Sequence, residues 1–132
     1  MNNVIAFLRL ITRSHKGYYC GYVGVKDDSM LPDSIQANIA MTNSFDKALD
    51  DYISIHGGIT FDDYFKENTS IIPLTDIPID WYKYHAYGFD LNHSRDNVEG
   101  ISMNFDYAKE QALSMKEQME RLIEQLSPST GD

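Results

Sequence analysis

The chain of 132 residues has the length of one compact domain, and 42% of its residues are hydrophobic, among them nine Tyr, six Phe and one Trp. A chain of this composition can bury a core, which excludes a disordered protein. The formal net charge is −9, and an acidic surface repels phosphate backbones, which argues against a nucleic acid partner.

The single cysteine, Cys20, excludes an internal disulfide and a zinc site built on several thiolates. It suits a reducing compartment, so we predict cytoplasmic localisation. The N-terminal segment is apolar, but Arg9 interrupts it and no basic region precedes it, so a signal peptide is not expected. No stretch approaches the ~18 apolar residues of a transmembrane helix, so a membrane partner is not expected either.

Two segments rich in β-branched and aromatic residues, 4–13 and 18–25, flank the sequence SHKG, in which Gly17 can adopt a positive φ. They predict a β-hairpin. One face of the first strand is apolar throughout and is expected to face the core; it consists of Val4, Ala6, Leu8 and Leu10. A polar connection is expected at 26–43, followed by a short capped helix that runs to about Asp50.

The segment YISIHGGITF (52–61) contains two β-type runs joined by Gly57 and Gly58, which predicts a second hairpin. Residues 62–80 contain two prolines and are expected to be irregular. The segment WYKYHAYGF (81–89) predicts a third β region. Alternation would place on one face of it Trp81, Lys83, His85, Tyr87 and Phe89, and on the other face Tyr82, Tyr84, Ala86 and Gly88.

The C-terminal region 105–126 has the spacing of an amphipathic helix. Its apolar stripe consists of Ala108, Ala112, Met115, Met119, Leu122, Ile123 and Leu126. Together these elements predict an α+β domain, in which an antiparallel sheet of about five strands carries one long C-terminal helix across it. The domain is expected to span residues 1–126, with a flexible tail at 127–132. A helix of this kind can instead form the interface of a homo-oligomer, and that alternative stays open.

The sequence GFDLNHSRD (88–96) spaces Asp90, His93 and Asp96 three residues apart. These side chains offer oxygen and nitrogen ligands suited to zinc, manganese or iron, and His56 could add a distant ligand. The alternative is a solvated loop in which Asp90 accepts a hydrogen bond from a nearby backbone amide, as in an Asx-turn.

Three other features are candidates for a site. The sequence His56-Gly57-Gly58 would let a ligand approach the backbone closely, although a tight hairpin needs the glycines anyway. Cys20 is a nucleophile only if a base activates it, and lone cysteines are commonly buried. The aromatic residues around Trp81 and Tyr84 could stack against a planar ring, or pack under the helix.

Three short blocks, CGYVGV (20–25), ISIHGGITF (53–61) and YGFDLNHSRD (87–96), occur in this order before the C-terminal helix. Together they resemble a family of small bacteriophage and mobile-element proteins with the patterns CGYVxV, VHGGxTF and WxGFDxxHxxD. The chain departs from that family after Val25, where it reads KDDSMLPDS, and at Leu91 and Asn92. The family has no settled activity, so the resemblance implies a phage-like context and candidate positions.

In that context we expect an anti-defence factor that sequesters a small molecule, such as a nucleotide-derived immune signal, in a bacterial host and without catalysis or a cofactor. His56 and His93 would contact phosphate or ribose, and Arg95 would supply positive charge. The full expected binding set is His56, Gly57, Gly58, Thr60, Trp81, Tyr84, Asp90, His93 and Arg95.

Two other functions remain as alternatives. One is a metal-dependent hydrolase, in which a divalent metal held by His56, Asp90, His93 and Asp96 activates a bound water. The other is an inhibitor that binds a protein through its acidic surface, with the three blocks purely structural.

Overall fold

The computed structural model of the protein describes residues 3–13, 16–27, 53–92 and 100–126. Within these ranges one antiparallel sheet has the strand order β3-β5-β2-β1-β4. The elements in chain order are β1 (Val4–Arg13), β2 (Lys16–Val25), β3 (Phe61–Asp63), β4 (Ile72–Pro73), a 3₁₀ turn (Trp81–Lys83), β5 (His85–Asp90) and helix α1 (Phe105–Leu126). Helix α1 packs against β1 and β2. This arrangement confirms the predicted α+β fold class.

The predicted stripe of α1 is buried against the sheet. Ala108, Ala112, Met115 and Met119 are fully buried, and Leu122 and Ile123 pack beside them. In the described part of the chain no helix has the length and apolarity needed to cross a membrane. Several predicted features lie outside the described residues: most of the 26–43 connection, the short helix after it, His93, Arg95, Asp96 and the 127–132 tail.

Strands β1 and β2 form the predicted hairpin, with Val4 opposite Val25 and Arg13 opposite Lys16. The prediction of a single core face on β1 was wrong. Leu8 is fully buried on the side of α1, but Phe7, on the opposite side, is buried as well. Leu10, predicted to be in the core, is 41% exposed. Both faces of β1 are buried because residues after β3 fold over the side of the sheet that α1 leaves open.

The sheet therefore separates two apolar clusters. The helix face carries residues such as Val23, Tyr87 and Phe89, which pack under α1. The outer face carries Ile5, Phe7, Cys20, Tyr22, Tyr84 and Ala86, and is partly covered by Phe61, Phe65 and Trp81. The covering rings pack closely: the Phe7 and Trp81 centroids are 5.4 Å apart, and those of Tyr22 and Phe65 are 4.9 Å apart.

Strands β2 and β5 interlock through two glycine–aromatic pairs. Gly21 lies opposite Phe89, and Tyr22 lies opposite Gly88. The Phe89 ring covers Gly21 on the helix face, and the Tyr22 ring covers Gly88 on the outer face. Each ring occupies the space that a side chain on the opposite residue would need. The two glycines of the CGY and GFD blocks thus have a packing role.

The predicted hairpin at 52–61 was wrong in part. Gly57 and Gly58 do make a turn, with φ of 70° and 77°, and the Gly58 N–H donates to the Ile55 carbonyl at 3.0 Å. Residues 53–60 are not a strand, however, and β3 begins only at Phe61. The first part of this segment, residues 53–56, is instead held by side chains of α1.

The third β region was also predicted too long. Residues Trp81–Lys83 form a 3₁₀ turn, and β5 begins at His85. Because the turn breaks the alternation, Trp81 packs on the outer face rather than with Tyr87 and Phe89. The 62–80 segment is mostly irregular, as predicted, apart from the end of β3 and the edge strand β4, where Pro73 pairs with Phe7.

Two glutamines of α1 hold residues 53–56. Gln118 Nε2 donates to the Ser54 carbonyl at 2.9 Å, and the Ser54 N–H donates to Gln118 Oε1 at 2.8 Å. The His56 N–H donates to Gln111 Oε1 at 3.2 Å. A single amide side chain therefore pairs with both backbone groups of Ser54, as a neighbouring strand would.

Replacing Gln118 with Met is expected to lower the free energy of unfolding by about 1 kcal/mol, because two hydrogen bonds to Ser54 and one to the exposed Ser114 hydroxyl are lost while length and helix propensity are kept. Hydrogen exchange at the Ser54 amide should accelerate. Lys109→Met, on the exposed surface of α1, is the matched control. Equal stability and exchange in the two variants would show that the Gln118 contacts contribute nothing.

Candidate functional site

A cleft of about 350 Å³ opens on the outer face, beside the aromatic cover. Its floor comes from β1, β2 and β5, and one wall comes from the residues that lead into β3. It is lined by Arg9, Ile11, Tyr18, Cys20, Tyr22, Thr60, Phe61, Phe89, Asp90 and Asn92. The cleft lies where the rings of Phe61, Phe65 and Trp81 leave this face of the sheet uncovered.

Two charged residues and a cysteine form a row across the floor. Arg9 lies opposite Cys20, and Cys20 lies opposite Asp90, on three adjacent strands. Residues directly opposite each other in an antiparallel sheet share a face, so all three face the cleft. With about 4.8 Å between strands, the Cα atoms of Arg9 and Asp90 are roughly 10 Å apart. A positive and a negative side chain thus flank a thiol.

The Asp90 carboxylate is held from two sides. The Thr60 hydroxyl donates to Oδ2 at 2.9 Å, and the Asn92 N–H donates to Oδ1 at 3.0 Å. The second bond is the Asx-turn expected from the sequence. The Thr60 N–H in turn donates to the Gly88 carbonyl at 2.8 Å, which fixes the wall of the cleft to β5. These contacts hold the carboxylate in one orientation.

The Arg9 guanidinium is also held. Its Nε donates to the Ser70 carbonyl at 3.4 Å, and its Cζ lies 5.5 Å from the centroid of the Phe65 ring. The side chain also hydrogen-bonds the Tyr22 hydroxyl. A guanidinium presents five N–H donors, so Ser70 and Tyr22 leave others for a ligand.

Cys20 is 6% exposed. Burial raises the pKa of its thiol to about 11; the negative charge of Asp90 raises it further, while the hydrogen bond to Tyr22 and the charge of Arg9 oppose the shift. Burial also raises the pKa of the Tyr22 hydroxyl. Cys20 is therefore a neutral thiol at neutral pH, and a neutral thiol is a poor nucleophile.

Two residues of the expected binding set, Thr60 and Asp90, lie in this cleft. His56 does not, because its ring faces α1, where Nδ1 lies 2.8 Å from the Tyr107 hydroxyl. Gly57 and Gly58 form the turn next to it. His93 and Arg95 lie outside the described residues, so their predicted roles stay predictions.

Trp81 and Tyr84 pack in the outer-face cluster and do not line the cleft. Tyr84 is buried, and burial raises the pKa of its hydroxyl. The aromatic side chains that do line the cleft include Tyr18, Tyr22 and Phe61. The sequence predicted that Trp81 and Tyr84 stack against a planar ring of the ligand. In this cleft, Tyr18, Tyr22 and Phe61 are the side chains in a position to do so.

Two of the four residues of the alternative metal set lie apart: His56 contacts α1, whereas Asp90 faces the outer cleft. No group of three or more His, Cys, Asp or Glu side chains in the described part of the chain is arranged to hold a metal ion. His93 and Asp96 are outside that part. The metal-dependent hydrolase stays an untested alternative.

The sequence reasoning missed Arg9, Tyr18, Tyr22 and Asn92 as cleft residues. Arg9 carried a detectable signal, since it is the charged residue between Ile5, Phe7 and Ile11 on one alternating face of the strand. A charge on an otherwise apolar strand face indicates a partner or a function. Tyr18 and Tyr22 carried no such signal in the sequence, because tyrosines on a strand usually pack against neighbouring side chains.

A second polar pair lies away from the cleft, on the helix face. His85 Nε2 is 2.5 Å from Asp62 Oδ1, and the His85 ring stacks on Tyr87 with centroids 4.4 Å apart. His85 is buried, and Asp62 is partly exposed. The pair ties β3 to β5 and so supports the wall that carries Thr60.

Comparison of the chain with models of protein families, with curated proteins and with solved structures gave no match. A function for this protein therefore has to be inferred from the geometry of the cleft.

Proposed function

We propose that the protein binds a small, nucleotide-like molecule in the outer-face cleft and does not convert it. The single observation that carries the proposal is the row Arg9–Cys20–Asp90, in which two fixed and opposite charges flank a neutral thiol on the floor of a cleft. Ligand pockets combine an apolar and aromatic lining with a few fixed polar groups, as this cleft does.

The size of the cleft limits the ligand. About 350 Å³ is near the lower end of the range of ~300–1,000 Å³ that is usual for ligand pockets. It suits one ring system with a small charged group and is too small for a long oligonucleotide-like signal. A ring can contact Tyr18 at one end of the cleft or Phe61 at the other.

Binding without turnover is supported by the state of Cys20. The raised pKa keeps its thiol protonated, and Asp90 is engaged by Thr60 and Asn92. Together with the resemblance of the three sequence blocks to small phage proteins, this favours a sequestering protein that acts on a signal in the cytoplasm of a bacterial host. Oligomerisation is not needed for this cleft, since one chain supplies its lining.

The proposal is tested with a variant in which a large side chain fills the cleft. Asn92 is exposed and lines it, so Asn92→Trp should fill the cleft without removing the backbone N–H that holds Asp90. We expect one or more members of a panel of nucleosides, nucleoside monophosphates and cyclic nucleotides to bind the wild-type protein in calorimetry, and Asn92→Trp to weaken that binding at least about tenfold.

Lys109→Trp places the same side chain on the exposed surface of α1 and is the matched control. It should bind as the wild-type protein does. Absence of binding by the whole panel, or equal binding by the two Trp variants, would refute the proposal. Thermal unfolding of each variant verifies that the fold is retained.

A further inference from the structure

We infer that the cleft recognises a sugar monophosphate, with Arg9 binding the phosphate and Asp90 accepting hydrogen bonds from the sugar hydroxyls. This inference rests on the proposed function, because it names the part of a nucleotide that the same cleft contacts. It makes Arg9 and Asp90 the residues that determine specificity, with Thr60 as a positioning residue.

The first argument is the separation of the two charges. Arg9 and Asp90 are two strands apart, and each is held by other groups: Arg9 by Ser70 and Tyr22, Asp90 by Thr60 and Asn92. Charges that are fixed apart cannot neutralise each other fully. Both are therefore available to one ligand that carries an anion at one end and hydrogen-bond donors at the other.

The second argument is the donor and acceptor capacity. A guanidinium binds phosphate oxygens with paired N–H donors, and such charge-assisted bonds are strong. An ionised carboxylate has about four lone-pair sites and no donor, so it favours hydroxyl groups over anions. The bonds from Thr60 and Asn92 use one site on each oxygen of Asp90. Sites that remain on both oxygens can accept from two neighbouring hydroxyls.

The third argument is the charge of the ligand. Arg9 is the only cation among the described residues that line the cleft, and the whole chain carries a net charge of −9. A second phosphate would meet Asp90 and the acidic surface without a further cation to offset it. One phosphate is therefore favoured over two or three.

The floor between the charges fits a sugar ring. Cys20 is small, buried and neutral, and it behaves as a small apolar side chain. A ring above it would have the phosphate toward β1 and the hydroxyls toward β5. A base attached to the sugar would extend along β2, either toward Tyr18 at one end of the cleft or toward Phe61 at the other.

The experiment is a calorimetric series on the wild-type protein with ribose 5-phosphate, AMP, ADP, adenosine and 2′,3′-dideoxy-AMP. We expect ribose 5-phosphate and AMP to bind. ADP, adenosine and the dideoxy compound should each bind about tenfold or more weakly than AMP, because each either adds an unmatched charge or lacks a group that Arg9 or Asp90 contacts.

Three variants assign the contacts. Arg9→Gln should remove the preference for AMP over adenosine and keep the preference for AMP over dideoxy-AMP. Asp90→Asn should remove the preference for AMP over dideoxy-AMP and keep the preference for AMP over adenosine. Thr60→Val should reduce only the preference for AMP over dideoxy-AMP. The wild-type series tests the inference even where a variant fails to fold.

Binding of adenosine as tight as AMP, or of ADP tighter than AMP, would overturn the inference and leave the proposed function standing. Glutamate, which offers an ammonium to Asp90, is added to the series. If glutamate binds and ribose 5-phosphate does not, the inference is overturned, and the nucleotide panel alone decides the proposed function. If no compound in this series or in the nucleotide panel binds, the proposed function itself fails.

Discussion

Replacing Gly88 with Ala is expected to lower the free energy of unfolding by about 3 kcal/mol or more, because overpacking at a site with little room to adjust forces the backbone to move. A Cβ at this position would overlap the Tyr22 ring and lie 2.8 Å from the Gly21 carbonyl oxygen. The carbonyl belongs to the paired strand β2 and cannot turn aside as a side chain can.

Gly21→Ala is expected to be similarly damaging on the other face, where a Cβ would overlap the Phe89 ring and lie 3.2 Å from the Ala112 Cβ. Here the obstacle is a ring, so the double variant Gly21→Ala/Phe89→Leu should recover part of the loss. A coupling energy of about 1 kcal/mol or more between the two positions is expected from neighbours that share space.

Urea unfolding followed by circular dichroism measures both effects. Gly100→Asn is the control, since Gly100 has a φ of 75°, and among the described residues beyond its chain neighbours no atom lies within 4 Å of the position that a Cβ would occupy there. Asn tolerates that backbone conformation. A cost below about 0.5 kcal/mol for Gly88→Ala, which is usual for open surface sites, would contradict the interlocking of β2 and β5.

The second large effect is a loss of stability at alkaline pH. The pKa of the Cys20 thiol is about 11 in the folded protein, against an ordinary value of 9.0, chiefly because of burial. Between these values the unfolded chain releases the proton and the folded chain keeps it. Folding stability from this group is thus complete below pH 9 and is lost as the pH rises through 11.

The size of this loss is on the order of 2 kcal/mol for Cys20. The raised pKa of Tyr22 has the same sign and adds to it at higher pH. We expect urea midpoints to fall between pH 9 and pH 11, the pKa values of the Cys20 thiol in the unfolded and in the folded chain.

Cys20→Ser keeps the size and the hydrogen-bonding capacity of the side chain but does not titrate in this range. It should flatten the pH dependence of stability between pH 9 and 11. Tyr84→Phe, which removes another buried hydroxyl outside the cleft, should leave the Cys20 part of that dependence in place. An unchanged slope in Cys20→Ser would show that the thiol is not protected by the fold.

The two glycine–aromatic pairs also explain part of the sequence blocks. In CGYVGV and YGFDLNHSRD, the Gly–Tyr and Gly–Phe dipeptides pair with each other across β2 and β5. The same register brings Cys20 opposite Asp90. The packing between β2 and β5 and the floor of the cleft therefore depend on the same pairing of these two strands. A residue of the sequence blocks can thus have a structural role without contacting a ligand.

The sequence by itself determined the elements whose signal is local. The α1 stripe follows from a period of 3.6 residues, and the β1–β2 hairpin follows from two β-rich segments around a short turn, so both were predicted within a few residues. The α+β class followed from these elements. The predicted number of strands agrees with the sheet, although residues 53–56 are not a strand and the edge strand β4 was not predicted. The Asx-turn at Asp90 is local as well and was recognised as an alternative.

Only the tertiary structure decided which surfaces the elements share. The outer face of β1 is buried because Phe65 and Trp81, distant in sequence, fold over it. Residues 53–56 are held by Gln111 and Gln118 instead of pairing as a hairpin. Arg9, Cys20 and Asp90 meet because of strand register. A register depends on long-range pairing and packing, which no local pattern encodes, so the cleft became visible only when the strands were placed side by side.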